Sequence, residues 1–193
     1  MATKVLGILG SPCVSGNTAA LLDAVLEGAR EGGATVERFD LVRMKINACQ
    51  ECGGCGTGSP CVQARDDMLL IYDKIRSVDS IVLASPIFFM GVTAQTKAMI
   101  DRCQCFWVER FVLKKRVYEG KRRPKGLFVS CAGGQKGLVF EPALHVVKAF
   151  FSAIDYDYLG EVLLGHTDDP GLEPRKKEAL EKARAAGRDL CSR

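Results

Sequence analysis

The segment Val5-Leu-Gly-Ile-Leu-Gly-Ser-Pro-Cys-Val-Ser-Gly-Asn-Thr18 decides how the rest of the chain is interpreted. It begins with a short apolar run, Val5 to Leu9, which is typical of a buried strand. It ends at Asn17, where apolar residues begin to recur at helical spacing. A strand, a Gly- and Ser-rich loop and a helix in this order indicate the start of an alternating α/β pattern.

The same alternation continues through the remaining sequence. Further strands are predicted at residues 35–41, 80–84, 126–130 and 156–164, and helices at 17–30, 66–76, 93–106, 139–153 and 174–190. Most of the strands are continuous apolar runs, which is typical of a parallel sheet covered by helices on both faces. Five such strands predict a flavodoxin-like, doubly wound α/β fold with the strand order 2-1-3-4-5.

One domain accounts for the whole chain. No internal repeat or linker interrupts residues 1–193, so we expect a single flavodoxin-like α/β domain. A cysteine-rich loop at about residues 43–65 is inserted after strand 2, and its length calls for a functional explanation.

The composition is that of an ordinary globular protein, with 47% apolar and 26% charged residues and a net charge of +4. The apolar stretch near the N-terminus is too short for a signal peptide and has the wrong flanking residues. No apolar run in the sequence is long enough to span a membrane. We therefore expect a cytoplasmic protein whose nine cysteines are kept reduced for metal or redox work.

Positive charge is concentrated between residues 110 and 125, where eight basic residues face a single Glu. This segment is either a solvated connector or a patch that steers a phosphorylated cofactor or an acidic partner, such as another redox protein. Nucleic-acid binding is not expected, because no aromatic platform or known motif accompanies the charges.

The loop from Gly10 to Thr18 is a predicted phosphate site. It offers hydroxyl and amide side chains and free backbone N–H groups at the start of a helix, where the helix dipole favours an anion. It lacks the Lys of a nucleoside-triphosphate loop and the G-x-G-x-x-G of a dinucleotide site, so one terminal phosphate, as in FMN, is the predicted ligand. The alternative is an ordinary turn with Ser or Asn as a helix cap.

Two further segments are expected beside this loop. Residues 85–93 follow strand 3 and residues 130–135 follow strand 4, and in a doubly wound sheet both border the same ligand crevice. Their small residues allow the backbone to approach a flat ring, and Phe88 and Phe89 offer apolar walls. Each Phe fits plain core packing equally well.

Four cysteines, Cys49, Cys52, Cys55 and Cys61, lie within thirteen residues. Three thiols separated by two residues can converge on one point, as a cubane iron–sulfur cluster requires. Zinc is the main alternative, although structural zinc sites usually split their ligands into two distant pairs. Disulfides are not expected in a reducing compartment. The other cysteines, at 13, 103, 105, 131 and 191, are expected to be small buried or half-buried residues.

Together these motifs resemble the iron–sulfur flavoproteins, which belong to the NADPH-dependent FMN reductase group of flavodoxin-like proteins. The motifs are Gly10-Ser-Pro12, Ser15-Gly-Asn-Thr18, the four-cysteine insert, Asp66-Asp-Met68, Ala84-Ser-Pro-Ile-Phe-Phe89 and Val92 to Arg102, and they cover nearly the whole chain. The resemblance implies FMN and a [4Fe–4S] cluster in each subunit of a homodimer or tetramer. It also implies that the flavin of one subunit lies near the cluster of another.

The resemblance also assigns residues to each cofactor. The phosphate would be held by Ser11, Ser15, Asn17 and Thr18, in a loop that includes Cys13 and Gly16, and the iron by Cys49, Cys52, Cys55 and Cys61. The flavin ring would be bordered by Pro86, Ile87, Phe88, Phe89, Met90 and Gly91 and by Ala132, Gly133 and Gly134. Two residues depart from the family pattern: Cys13 stands where relatives often carry Arg, and Phe88 where they often carry Tyr.

The sequence therefore predicts an electron-transfer flavoprotein that links a donor such as ferredoxin or NAD(P)H to a small acceptor. No residue is an obvious general acid or base, and the two histidines, His145 and His166, stand alone. One alternative is an NAD(P)H-dependent FMN or quinone reductase in which the cluster is incidental. Another is a zinc-bearing redox sensor that binds a partner through the basic segment.

Overall fold

A five-stranded parallel sheet forms the centre of the computed structural model, with the order β2-β1-β3-β4-β5. Its strands are β1 (Lys4–Leu9), β2 (Thr35–Asp40), β3 (Ser80–Ala84), β4 (Lys125–Cys131) and β5 (Asp157–Leu164). The structure describes residues 2–58, 60–63, 65–115, 118, 122–134 and 138–191. The predicted flavodoxin-like topology is confirmed.

Burial along the strands follows their position in the sheet. The central strand β3 is buried at every residue, and β1 and β4 are buried after their first residue. The edge strand β2 instead has only exposed and half-buried residues. The continuous apolar runs of the central strands thus reflect helices on both faces, as expected for a parallel sheet.

Helices cover the two faces unequally. They are α1 (Asn17–Glu31), α2 (Met68–Ser77), α3 (Ala94–Arg102), α4 (Gln104–Trp107), α5 (Glu141–Ala153) and α6 (Leu172–Cys191). Residues of α1 and α6 share one apolar core with the sheet, and residues of α2 to α5 share the other. Among the described residues, no helix has both the length and the apolar character that crossing a bilayer requires.

The helices α1 and α6 cross in direct backbone contact. A Cβ atom added at Gly28 would lie 1.9 Å from the carbonyl oxygen of Arg184, and one added at Gly187 would lie 2.0 Å from that of Val25. Only glycine allows so close an approach. Arg184 also pairs with Glu27 and Glu31 at the margin of this contact.

One predicted helix, residues 93–106, is divided in the structure. The hydroxyl of Thr93 accepts a hydrogen bond from the Thr96 amide, so Thr93 caps α3 and the helix starts at Ala94. Cys103 leaves the helical conformation and separates α3 from α4, and a single π-helical turn at Val108–Val112 follows. Hydrophobic spacing does not reveal such a turn, since it shifts the register by only one residue.

The basic segment is partly structural. Arg110 pairs with Asp155 at 3.3 Å, and Arg123 pairs with Asp155 at 3.4 Å and with Asp157 at 3.3 Å. These arginines therefore hold the basic segment against the junction between α5 and β5. Residues 116, 117 and 119–121 of the segment lie outside the described residues.

Candidate functional site

The loops after β1, β3, β4 and β5 meet at the carboxyl edge of the sheet. The Gly10 amide donates to the carbonyl of Ala84 at 2.7 Å, and the Thr93 hydroxyl donates to the carbonyl of Gly10 at 2.6 Å. The Ile87 amide donates to the carbonyl of Cys131 at 2.9 Å. The structure thus brings the three predicted cofactor segments together, in the crevice where doubly wound sheets bind ligands.

Within the β1–α1 loop (residues 10–16) and the first turn of α1, the predicted phosphate ligands are not equivalent. Ser11 is buried, and its hydroxyl accepts the Cys13 amide at 3.1 Å. Thr18 is also buried, and its hydroxyl contacts the thiol of Cys131. Ser15 is exposed and Asn17 half-buried. The loop therefore leaves Ser15 and Asn17 directed toward solvent, while Ser11 and Thr18 support the loop from within.

The amino end of α1 has no side-chain cap among the described residues. Its N-cap is Gly16, an extended residue with φ −80° and ψ −173°. The first backbone N–H groups of this fifteen-residue helix therefore receive no side-chain acceptor from the loop. The alternative, a turn with Ser or Asn as the helix cap, is therefore not found at this N-cap, and the helix end keeps the donors and the dipole that suit an anion.

A strained turn forms the next part of the crevice wall. We call residues Phe88–Gly91 the aromatic turn. The amides and carbonyls of Phe88 and Gly91 bond to each other at 2.9 and 3.0 Å, and Phe89 and Met90 have φ angles of 49° and 64°. Two central residues with positive φ define a type I′ turn, which favours Asn-Gly and disfavours bulky side chains. Phe89 is nevertheless exposed at 107% of its reference area.

The loops after β4 and β5 form the other wall of the crevice. The carbonyl of Ala132 accepts the Thr167 amide at 3.1 Å, and that of Gly134 accepts the His166 amide at 3.2 Å. A Cβ atom added at Gly133 would lie 2.0 Å from a carboxylate oxygen of Asp168, so this acidic side chain lies directly over Gly133. Of the remaining predicted residues here, Pro86 and Ile87 are half-buried, and residue 135 lies outside the described residues.

The cysteine loop (residues 43–65) is tied at its base. The Lys45 amide donates to the carboxylate of Asp67 at 2.7 Å, and the Asp67 amide donates to the carbonyl of Lys45 at 3.0 Å. The Asn47 amide donates to Asp66 at 2.9 Å. The two stems of the loop are therefore joined side by side, although Ser59 and Ala64 lie outside the described residues.

Between these stems the backbone turns tightly around Cys55. Gly53 has a φ of 71° and starts a 3₁₀ turn at Gly54–Thr57. A Cβ atom at Gly54 would lie 2.3 Å from the side chain of Val62, so the two halves of the loop are in contact. Positive φ at one position and close approach at the next explain why glycines follow Cys52.

The four predicted iron ligands lie in one electrostatic neighbourhood. Cys49 and Cys52 are exposed, and Cys55 and Cys61 are half-buried against the core. Burial raises the pKa of the Cys55 thiol, and the charges of Cys61, Cys49 and Cys52 raise it further. Over the described part of the chain, however, no three thiols, imidazoles or carboxylates stand close enough to hold a metal ion. The predicted convergence on one point stays a prediction.

The remaining cysteines mostly follow expectation. Cys103, Cys105 and Cys131 are buried, and burial raises the pKa of both Cys105 and Cys131 to about 11. They are therefore protonated, inert packing residues at neutral pH. Cys191 is half-buried. The expectation for Cys13 was wrong, because this residue is exposed on the β1–α1 loop rather than packed beneath it.

Several residues that shape the site were not predicted. Thr93, Thr96, Ser85 and Ser130 form buried hydrogen bonds that hold the loops together; for example, the Ser130 hydroxyl donates to the carbonyl of Ser85 at 2.7 Å. A polar residue just before a predicted helix was the available signal for Thr93. No local signal reveals the pairing of Asp66 with Arg102, since thirty-five residues separate them in the sequence.

The chain is similar in sequence to a known family and to several known proteins. A family model described as NADPH-dependent FMN reductase matches residues 3–161. An iron–sulfur flavoprotein of Methanocaldococcus jannaschii is 32% identical over 149 residues, which cover 77% of this chain and 70% of that protein. One from Archaeoglobus fulgidus is 43% identical over 99 residues, 51% of this chain and 44% of that protein. One from Methanosarcina thermophila is 33% identical over 134 residues, 69% of this chain and 65% of that protein.

Matches with the first relatives span between about two fifths and two thirds of their length. Among solved structures, an NAD(P)H:quinone oxidoreductase from Methanothermobacter marburgensis aligns with a TM-score of 0.75 at 22% identity, over 98% of both chains. An FMN-dependent NADH-azoreductase from Bacillus anthracis aligns with a TM-score of 0.73 at 16% identity, over 98% of this chain and 100% of that one. At such identities these likenesses concern the fold alone.

Proposed function

Because the chain belongs to the iron–sulfur flavoproteins of the NADPH-dependent FMN reductase family, we propose that it binds FMN and a [4Fe–4S] cluster and transfers electrons between them. FMN exchanges electrons in pairs or singly, and the cluster exchanges one electron at a time. The protein contributes the positions of the two cofactors and the charges around them.

The observation that carries the FMN proposal is the meeting of two unusual features at one edge of the sheet. The first is the uncapped N-terminus of α1, with Ser15 and Asn17 beside it, which suits a terminal phosphate. The second is the aromatic turn, which holds Phe89 in solvent on a strained backbone. Strain of this kind persists at ligand sites, and an apolar ring packed on the turn would cover Phe89.

Replacement of Gly16 tests the phosphate site. In Gly16→Asp a carboxylate would occupy the N-cap and repel the phosphate, and like charges in contact cost several kcal/mol. We expect FMN affinity to fall at least about a hundredfold, measured by quenching of flavin fluorescence. Gly16→Ala is the matched control, because it adds the same Cβ beside Cys13 without the charge. Equal affinities for the two variants would contradict the assignment.

The cluster proposal is supported by how the cysteine loop is built. The other three thiols lie close enough to Cys55 to raise its pKa, and the stems of their loop are joined. The buried guanidinium of Arg102 nearby has an Nε–H without a partner among the described residues. A cluster with thiolate ligands would supply the negatively charged acceptor that such a group lacks. Cys49, Cys52, Cys55 and Cys61 are the residues that would hold it.

Anaerobic purification with iron and sulfide assays and EPR after reduction tests the cluster. We expect Cys52→Ala to lose iron and the EPR signal while keeping FMN. Cys191→Ala, which changes a half-buried cysteine at the end of α6, away from both proposed cofactor sites, should keep both. Unchanged iron in Cys52→Ala would refute the ligand assignment, and zinc without iron or sulfide in the wild type would favour the sensor alternative.

The electron donor is proposed to be NAD(P)H or a ferredoxin. Anaerobic mixing with each donor, followed by flavin absorbance, distinguishes them. Rapid reduction by NADPH that persists at the wild-type rate in Cys52→Ala would favour the reductase alternative, in which the cluster is incidental.

The position of the cysteine loop supports a homo-oligomer. Gly58, in this loop, packs against Glu109, which pairs with Arg76 at 2.7 Å. Arg76 lies near the end of α2, just before β3 begins, and therefore at the edge of the sheet opposite the crevice. A ten-residue helix is about 15 Å long, so part of the loop extends well away from the crevice of its own chain. We propose that each cluster serves the flavin of a neighbouring subunit.

A further inference from the structure

Arg102, the last residue of α3, is a buried charge beneath the cysteine loop. The residue is 2% exposed, and its Nη1 donates to the carbonyl of Asn47 and to Oδ2 of Asp66, both at 3.0 Å. The Asp66 side chain is entirely buried. Asn47 lies in the first stem of the loop and Asp66 directly follows the second, so one guanidinium joins both ends of the loop to α3.

Asp66 is held as a charged carboxylate. Burial alone would raise the pKa of Asp66, but hydrogen bonds from the amides of Asn47 and Met68 and the ion pair with Arg102 outweigh it and lower the pKa. The positive charge of Arg102 is therefore balanced by one fixed negative charge. Removing either partner of such a buried pair leaves an uncompensated charge.

Arg102 has hydrogen-bonding capacity beyond this pair. Its guanidinium lies near the thiol of Cys61, which packs half-buried against the core. Its Nε is buried and has no partner among the described residues. A buried N–H without an acceptor is costly, and a negatively charged sulfur beside it is a suitable acceptor.

We propose that Arg102 is a positioning residue for Cys61, which donates a hydrogen bond to its thiolate and sets the reduction potential of the cluster. This inference rests on the proposed function, since it requires a cluster in the loop. A positive charge and N–H donors at a ligating sulfur favour the reduced, more negative state of a cluster and so raise its potential. Asp66 opposes this effect, because its negative charge partly cancels that of Arg102.

Redox titration of the cluster in the full-length holoprotein, followed by EPR, tests the proposal. Arg102→Gln removes the positive charge, and we expect its midpoint potential to shift to more negative values. Asp66→Asn removes the opposing carboxylate, and we expect a shift to more positive values. Arg102→Lys keeps the charge without the planar set of donors and should lie between Arg102→Gln and the wild type.

Arg38→Gln is the matched control. Like Arg102, Arg38 bonds to carboxylate and carbonyl groups, those of Asp23, Asp40 and Val14, but it lies beside α1 on the other face of the sheet. Its loss should leave the midpoint potential unchanged. The control separates a local effect on the cluster from a general loss of stability.

Opposite shifts in Arg102→Gln and Asp66→Asn support the proposal, because a purely structural role would not give opposite signs. Unchanged potentials, or shifts in the same direction, with iron content at the wild-type level would overturn it. If Arg102→Gln does not fold, the potentials of Arg102→Lys and Asp66→Asn decide by the same rule. Wild-type protein without iron and sulfide would instead overturn the proposed function and, with it, this inference.

Discussion

At the scale of single residues, the aromatic turn is the clearest departure from what stability alone would select. Phe89 and Met90 occupy left-handed backbone conformations that suit Asn and Gly, and both side chains are exposed. Each such residue costs about 1 to 3 kcal/mol. On the proposed function, this cost is offset when the flavin covers the turn.

The double variant Phe89→Asn/Met90→Gly installs the preferred type I′ pair. Without flavin, we expect its free energy of unfolding to rise by about 1 to 2 kcal/mol, measured by urea denaturation. With the apolar wall removed, we expect FMN affinity to fall.

The control is Leu159→Thr, which removes an exposed apolar side chain near the opposite end of β5 and should not affect FMN. A flavin-free double variant that is less stable than the wild type would show that the turn is not strained. Undiminished FMN affinity would remove Phe89 and Met90 from the binding site.

At the scale of elements, the crossing of α1 and α6 is the contact most sensitive to side-chain size. Backbone touches backbone at Gly28 and Gly187, and Ala183 packs fully buried in the same core. Because α1 also begins at the candidate phosphate site, the crossing fixes the position of the helix end that would face the anion.

We therefore expect Gly28→Ala to destabilise the protein. In an ordinary helix this change stabilises by about 1 kcal/mol, but here the new Cβ would lie 1.9 Å from a carbonyl oxygen of α6. Overpacking of this kind costs about 1 to 3 kcal/mol, so the net free energy of unfolding should fall. Urea denaturation measures it.

Gly56→Ala serves as the comparison, because nothing lies within 4 Å of the Cβ it would add. A Gly28→Ala protein at least as stable as the wild type would mean that the two helices can separate at no cost. The model of a rigidly positioned α1 would then fail.

At the scale of the whole molecule, the two proposed cofactor sites occupy different parts of the fold. The crevice lies at the carboxyl edge of the sheet, whereas the cysteine loop packs along α4 and the π-helical turn, where Gly58 contacts Glu109 and Leu113. Next to it, Trp107, Phe111 and Val112 are exposed. Such a surface is suited to burial between copies of the chain.

Mixed oligomers test this arrangement. Cys52→Ala should lack the cluster and Gly16→Asp should lack FMN, so neither alone transfers electrons from flavin to cluster. If the path crosses subunits, random re-association of the two variants as dimers should restore about a quarter of the wild-type transfer, since half of the dimers are mixed and each holds one complete pair. The growth of the cluster EPR signal after flavin reduction measures it.

Unmixed samples of each variant provide the baseline. Mixed oligomers that are verified by mass spectrometry and still show no transfer would mean that the path lies within one chain.

Sequence patterns predicted this fold well because its strands are buried on both faces and therefore appear as uninterrupted apolar runs. The crevice could be placed for a related reason, since the strand order determines which loops meet. What escaped prediction depends on contacts distant in sequence. Tyr72 donates to the carbonyl of Arg102 at 2.7 Å and Arg102 pairs with Asp66, and no local pattern indicates either partner. The type I′ turn could not be predicted either, because its central residues are Phe and Met instead of the usual Asn and Gly.

The joined stems of the cysteine loop have a consequence for how the protein matures. Small zinc domains are unfolded until metal arrives, because the metal supplies their folding energy. Here the ion pair of Asp66 with Arg102 and the backbone bonds at Lys45 and Asn47 close the base of the loop with protein atoms alone. The polypeptide can therefore close this loop before any metal arrives, and loss of the proposed cluster should leave the rest of the fold intact.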